Sequence, residues 1–124
     1  MLLVTGADRE VGYKKLIAWK LADEFAREVY KVSAKFPNDE VFGLTAQLRR
    51  AVLSVVLNIV EGHSRNNRNE FRRFLKISLG SLAEVDYILL FSSEIGYLEK
   101  GDYQNLLKMR ESCGGVLWKL MKSI

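Results

Sequence analysis

Seven of the chain's nineteen lysines and arginines fall within residues 45–76: Arg49, Arg50, Arg65, Arg68, Arg72, Arg73 and Lys76. Only two acids, Glu61 and Glu70, accompany them, whereas the rest of the chain carries twelve cations against thirteen acids. The net charge of +4 therefore originates in this one segment. A guanidinium group binds a phosphate through two parallel hydrogen bonds, and a basic patch on an otherwise balanced protein is the electrostatic footprint of a polyanion partner. Arg65, Arg68 and Arg72 lie on or beside a short turn, His63 to Arg68, where their side chains can reach solvent. Exposed amides at the start of the following helix add partial positive charge aimed the same way. These three arginines, helped by Arg49 and Lys76, are the candidate nucleic-acid contacts.

Other chemistry finds little support. His63 is the only histidine, so the paired Glu-x-x-His motifs of a four-helix di-iron site are missing. Cys113 falls in an apolar stripe with no histidine near it and reads as core filling. Glu61 and Glu84 are better explained as arginine partners than as a carboxylate pair. No glycine-rich phosphate loop is present, since Gly114-Gly115 lies inside a helical pattern. Trp19 and Trp118 are expected as core or subunit contacts rather than as base-stacking platforms. Neither an enzyme nor a cofactor or metal site is expected.

The elements that must position the arginines are helices. From about Lys14 to Phe36 the apolar positions Ala18 or Ile17, Leu21, Ala22, Phe25, Val29, Val32 and Phe36 recur at helical spacing. Pro37 then stops the helix. A second helix is predicted from Leu44 to Gly62, with Gly62 as its C-terminal cap. Asn67 and Glu70 mark the start of a third, from Arg68 or Asn69 to about Glu94, with asparagine capping and glutamate reaching back. A fourth begins near Asp102, a good N-cap, and buries Leu106, Leu107, Cys113, Val116, Leu117, Leu120 and Met121. No strand-like alternation, repeat or low-complexity stretch occurs. Residues 1–12 show no period and are expected to be a flexible N-terminal arm, with the domain at 13–124. Four helices with short loops imply an all-α, up-down-up-down antiparallel four-helix bundle.

On the second helix Gln47, Arg50, Ser54, Asn58 and Glu61 step by three or four residues, a stripe only about 60° wide. Almost everything else on it is apolar, a wider arc than one core face requires, so the surplus is expected to pack on another subunit. The third helix carries Arg73, Lys76, Gly80 and Glu84 at the same spacing. Pairing the stripes antiparallel at a constant index sum sets Glu61 opposite Arg73, Arg50 opposite Glu84 and Ser54 opposite Gly80. The expected polar seam is Gln47, Arg50, Asn58, Glu61, Arg73, Ser81 and Glu84. Asn58 is open to two readings, a seam hydrogen bond or a ligand contact, with the structural role favoured.

At 124 residues, 48% hydrophobic and 27% charged, the chain suits one modest globular domain. A single cysteine excludes an intrachain disulfide and fits a reducing compartment. The start, MLLVTGADRE, has neither a basic leader nor a long apolar run, and the longest apolar run elsewhere, Val55 to Val60, is interrupted by Asn58. A soluble cytoplasmic protein with no membrane partner is expected.

In order along the chain, WKLA, FPNDEVFGLTAQLRRA, NIVEG, RNNRNEFRRFL and LGSLAE resemble the four helix bundle protein family, encoded by intervening sequences within bacterial large-subunit ribosomal RNA genes. The resemblance spans about residues 13–122. Its motif positions here are Gln47, Arg49, Arg50, Asn58, Glu61, Gly62, Arg65, Phe71, Phe74, Leu75, Gly80, Ser81 and Glu84. Val60 stands where family members often have alanine, and His63 and Asn66-Asn67 replace smaller turn residues. The resemblance implies a homo-oligomeric bundle, typically a pentamer, without known enzymatic activity. It also implies kinship with the accessory proteins of diversity-generating retroelements, whose basic barrels bind a reverse transcriptase and nucleic acid. Two functions follow as expectations: a homo-oligomeric nucleic-acid-binding protein (RNA favoured, DNA allowed), or an oligomeric adaptor docking onto a protein such as a reverse transcriptase.

Overall fold

The structure, a computed structural model, describes residues 12–124. Apart from Gly12, the arm expected at residues 1–12 lies outside the described residues. Four helices form the body: α1 (Ile17–Ser33), α2 (Leu44–Ser64), α3 (Arg68–Glu94) and α4 (Lys100–Ser123), with short 3-10 turns at Gly12–Lys15 and Asn38–Glu40. Each helix packs on two neighbours: α1 on α2 and α4, α3 on α2 and α4. The connections are short, so neighbours run antiparallel and the four close into an up-down-up-down bundle. The α1–α2 and α3–α4 loops share one end, where the Tyr97 hydroxyl donates to Glu40 Oε2 at 3.0 Å. The α2–α3 turn occupies the other end.

The core follows the apolar periods. Ala18, not Ile17, is the buried choice at the start of α1, with Ala22, Phe25, Val29, Val32 and Phe36 behind it. From α2 come Leu48, Val52, Val55, Val56 and Ile59; from α3, Phe71, Phe74, Leu75, Leu82, Val85, Ile88 and Leu89. In α4 Leu106, Cys113, Leu117, Leu120 and Met121 are buried, whereas Leu107 and Val116 are half-buried.

Three details differ from the sequence reading. Helix α2 runs two residues past Gly62, and that glycine serves packing instead of capping. A Cβ there would lie 2.7 Å from Phe74 Cβ and 3.0 Å from Phe71 Cδ1, so α2 and α3 approach over Gly62. Gly80, expected to be the point of close approach, has nothing within 4 Å of its would-be Cβ. Helix α4 starts at Lys100 with Glu99 as its N-cap residue. Asp102 instead accepts from Lys35 Nζ at 3.1 Å and ties α4 to the end of α1. The N-terminus of α2 is capped from outside: the Leu44 amide donates to Glu40 Oε1 at 3.0 Å.

Candidate nucleic-acid interface

The α2–α3 turn is built by asparagines. Asn66 takes φ 51°, a left-handed conformation that asparagine tolerates better than most residues. Asn67 is extended, and its Oδ1 accepts from the Glu70 amide at 2.9 Å, the N-cap expected from the sequence. The Glu70 carboxylate does not reach back; both of its oxygens receive Arg73.

With α3 started at Arg68, Arg68, Arg72 and Lys76 recur every four residues along its α4-facing edge, about 6 Å apart on the axis. Arg68 borders a cleft of ≈ 290 Å³ formed with Gly62, His63, Phe71 and Ile124. Arg72 and Lys76 border a groove of ≈ 560 Å³ whose other walls are Leu79, Trp118, Met121 and Lys122. Among the described residues none of the three has a carboxylate partner; Arg72 donates only to the Asn69 side-chain oxygen, at 3.3 Å.

The remaining arginines have other work. Arg65 pairs with Glu61 at 2.9 Å and Arg73 with Glu70 at 3.1 Å, and both guanidinium groups stack on Phe74, 5.0 and 4.4 Å from its ring centre. Arg65 is thus separated from Arg68 and Arg72, with which the sequence grouped it. Arg49 lies toward the far end of α2. Its Nε donates to Ser33 Oγ and its Nη2 to the Tyr30 carbonyl, both at 2.9 Å, with the guanidinium 4.7 Å over the Tyr30 ring. It clamps α2 to the last turn of α1. Arg50 is exposed and has no ion-pair partner among the described residues.

The polar seam exists, but as a neutral one. Ser54 Oγ and Ser81 Oγ lie 2.9 Å apart across α2 and α3, and Asn58 Nδ2 donates to Ser54 O at 2.8 Å and to Ser54 Oγ at 3.1 Å. Beneath it, the buried Ser78 hydroxyl donates to the Val55 carbonyl at 2.8 Å. Asn58 thus takes the structural role. The expected Glu61–Arg73 and Arg50–Glu84 pairs do not form. The register that motivated them is off by one residue, Ser54 facing Ser81 rather than Gly80. Carboxylates one helical turn away, Glu61 for Arg65 and Glu70 for Arg73, capture the guanidinium groups first. Gln47, Arg50, Glu61, Arg73 and Glu84 are all exposed.

The charge distribution at this end is therefore one-sided. Glu70 titrates below the ordinary glutamate value because Arg73 hydrogen-bonds its carboxylate, and that local pair leaves the α4-facing edge of α3 without a counter-charge. His63 packs edge-on against Phe71, ring centres 5.9 Å apart, and titrates below its ordinary value through burial and the charge of Lys15. Cys113 is fully buried and its thiol is pushed up to about 12 by desolvation, so it is an inert core residue as expected. Trp118 lies outside the core, 51% exposed with Lys122 Nζ 5.0 Å over its ring, which leaves the subunit-contact half of the expectation. Lys122 gave no signal in the sequence, because it lies beside the apolar stripe that defines the fourth helix. Among the described residues no cluster of histidine, cysteine and acid side chains could hold a metal, and no helix is long and apolar enough to cross a membrane.

The described residues thus form an all-helical bundle whose third helix carries a basic edge without a carboxylate partner. The sequence profile of the 23S rRNA-intervening sequence proteins matches residues 14–119, and the chain belongs to that family. Its fold is shared by a protein of unknown function from the S23 ribosomal protein family of Bacteroides thetaiotaomicron. That protein superposes with a TM-score of 0.79 at 21% identity over 86% of this chain and 96% of its own. No curated protein matches. Neither description names a catalytic activity.

Proposed function

We propose that this protein is a non-catalytic, homo-oligomeric nucleic-acid-binding protein that acts in the cytoplasm and grips phosphates with Arg68, Arg72 and Lys76. The observation that carries the reading is the regular, unneutralised spacing of these three cations along α3. Acids and lysines normally intermingle on a solvated helix face, whereas here the acids of the region are consumed by Arg65 and Arg73 on another side. The family's tie to 23S ribosomal RNA intervening sequences favours RNA over DNA. Phosphate contacts position a nucleic acid without reading its sequence, so binding is expected to be salt-sensitive and weakly sequence-specific.

The exposed apolar residues support self-association. Leu53 and Leu57 lie one turn apart on the outside of α2, and Leu57 is 55% exposed; Ile77 and Phe91 on α3 and Ile95 just after it are also exposed. Covered by second copies, this face yields the ring, typically a pentamer, that the resemblance implies. Each subunit then repeats one basic edge around the axis, and modest single-site affinity becomes avidity.

The adaptor reading has one observation in its favour: Phe42 is 93% exposed in the α1–α2 loop, at the end opposite the α2–α3 turn, where a protein partner such as a reverse transcriptase could dock. Fluorescence anisotropy with structured RNA, single-stranded RNA and duplex DNA separates the two. Direct binding lost in the Arg68→Ala/Arg72→Ala/Lys76→Ala variant, with helicity intact, supports the nucleic-acid reading. Absence of binding at low salt leaves the adaptor.

A further inference from the structure

We propose that the groove between α3 and α4 is a single-strand subsite, in which Trp118 stacks on an unpaired nucleobase while Arg72, Lys76 and Lys122 hold the flanking phosphates. The proposal deepens the nucleic-acid reading above and rests on it. Three observations converge on this groove. Its ≈ 560 Å³ are bounded by three cations and no acid, so its chemistry selects an anion. Between the cations lie Leu79, Met121 and the indole of Trp118, half of which is in solvent although the buried stripe of α4 passes beside it at Leu117, Leu120 and Met121. The ammonium of Lys122 stands 5.0 Å over one face of that indole, so a cation already sits beside the ring, and a base stacks on the opposite face or by displacing it.

A flat π-face flanked by cations, over an apolar floor, is the arrangement that takes a base and its two phosphates together. A duplex does not satisfy it. Its base faces are stacked on one another, so only its phosphates could reach the groove, and the indole would stay wet. An unpaired nucleotide presents both features at once. Arg72 and Lys76 are one turn apart on one wall and Lys122 is on the other, so a strand threads along the groove with its backbone between cations. Arg68, one turn before Arg72, extends the path toward the α2–α3 turn.

The test uses the full chain and three probes of about twelve nucleotides: oligouridine, the same strand paired as duplex RNA, and an abasic strand of equal phosphate count. Wild-type protein should bind oligouridine on the order of 5- to 150-fold tighter than the abasic strand, the range expected of one stacked base. Trp118→Ala should erase that difference without altering the salt dependence, and Trp118→Phe, which keeps a π-face, should restore most of it. Equal affinity of wild type and Trp118→Ala for oligouridine, each with a steep salt dependence, overturns the stacking subsite and leaves the phosphate reading standing. A fall in the mass of the assembly on Trp118→Ala, seen by light scattering, makes the indole a subunit contact and also overturns it. No binding of any probe by the wild type removes both readings.

Discussion

Seven cations stand close together in the chain between residues 45 and 76, and each one's fate is decided by the nearest carboxylate or carbonyl. Arg65 and Arg73 find Glu61 and Glu70 within one helical turn and share Phe74 as a platform. Arg72 finds only an amide oxygen, and Lys76 finds no carboxylate among the described residues. Arg72→Ala should therefore weaken RNA binding several-fold in an anisotropy titration, and Arg65→Ala should weaken it less while lowering the melting temperature through lost packing on Phe74. The two helical glycines make a sharper contrast. Gly62→Ala places a methyl 2.7 Å from Phe74 Cβ and should cost about 1–3 kcal/mol by overpacking in a urea melt. Gly80→Ala meets open space in a helix interior and should stabilise by roughly 0.5–1 kcal/mol. His63 gives a pH signature. Its folded value lies below the ordinary 6.5, so the fold favours the neutral ring. That contribution is whole above the ordinary value and is lost as pH falls through the lower folded value. Wild type should lose stability as pH falls below about 6.5, and His63→Gln should not.

The helices themselves were legible because their apolar periods are long and unbroken, and because Pro37 and Asn67 punctuate them. Their ends were less so. Gly62 looks like a cap from its neighbours alone, and only the Phe71 and Phe74 rings on α3 reveal it as a packing contact. Asp102 looks like an N-cap, yet Lys35, far away in sequence, takes its carboxylate. The α2–α3 register was nearly readable from the polar stripes, whereas the partners were not, since a local turn competes with a cross-helix contact for every charge. Arg49 shows the same limit: it resembles one more basic-patch residue and proves to be the bolt between α2 and α1. Arg49→Ala should cost about 1–2 kcal/mol of unfolding free energy in a denaturant titration, because a guanidinium making two hydrogen bonds is removed, and should leave RNA affinity nearly unchanged.

At the scale of the whole molecule the charge asymmetry was visible in composition, but its one-sidedness was not, for it depends on α3 turning Arg68, Arg72 and Lys76 toward α4 and Arg73 away. Nor could the sequence place Trp118 beside Arg72 and Lys76, as the α3–α4 groove does. The surplus apolar arc of α2 was legible, and Leu53 and Leu57 do stand in solvent on the isolated chain. If assembly multiplies the basic edge, Leu57→Lys should reduce the particle to a monomer in light scattering while circular dichroism stays helical. Affinity for a long RNA should then fall at least about tenfold through lost avidity. The central claim, that α3 presents a phosphate-binding edge, is tested most directly by the slope of log affinity against log salt for single-stranded RNA. A steep negative slope in the wild type, made shallower by about 2–3 when Arg68, Arg72 and Lys76 become alanine, is the predicted result. A slope unchanged by the triple substitution, or no measurable binding at low salt, would contradict it.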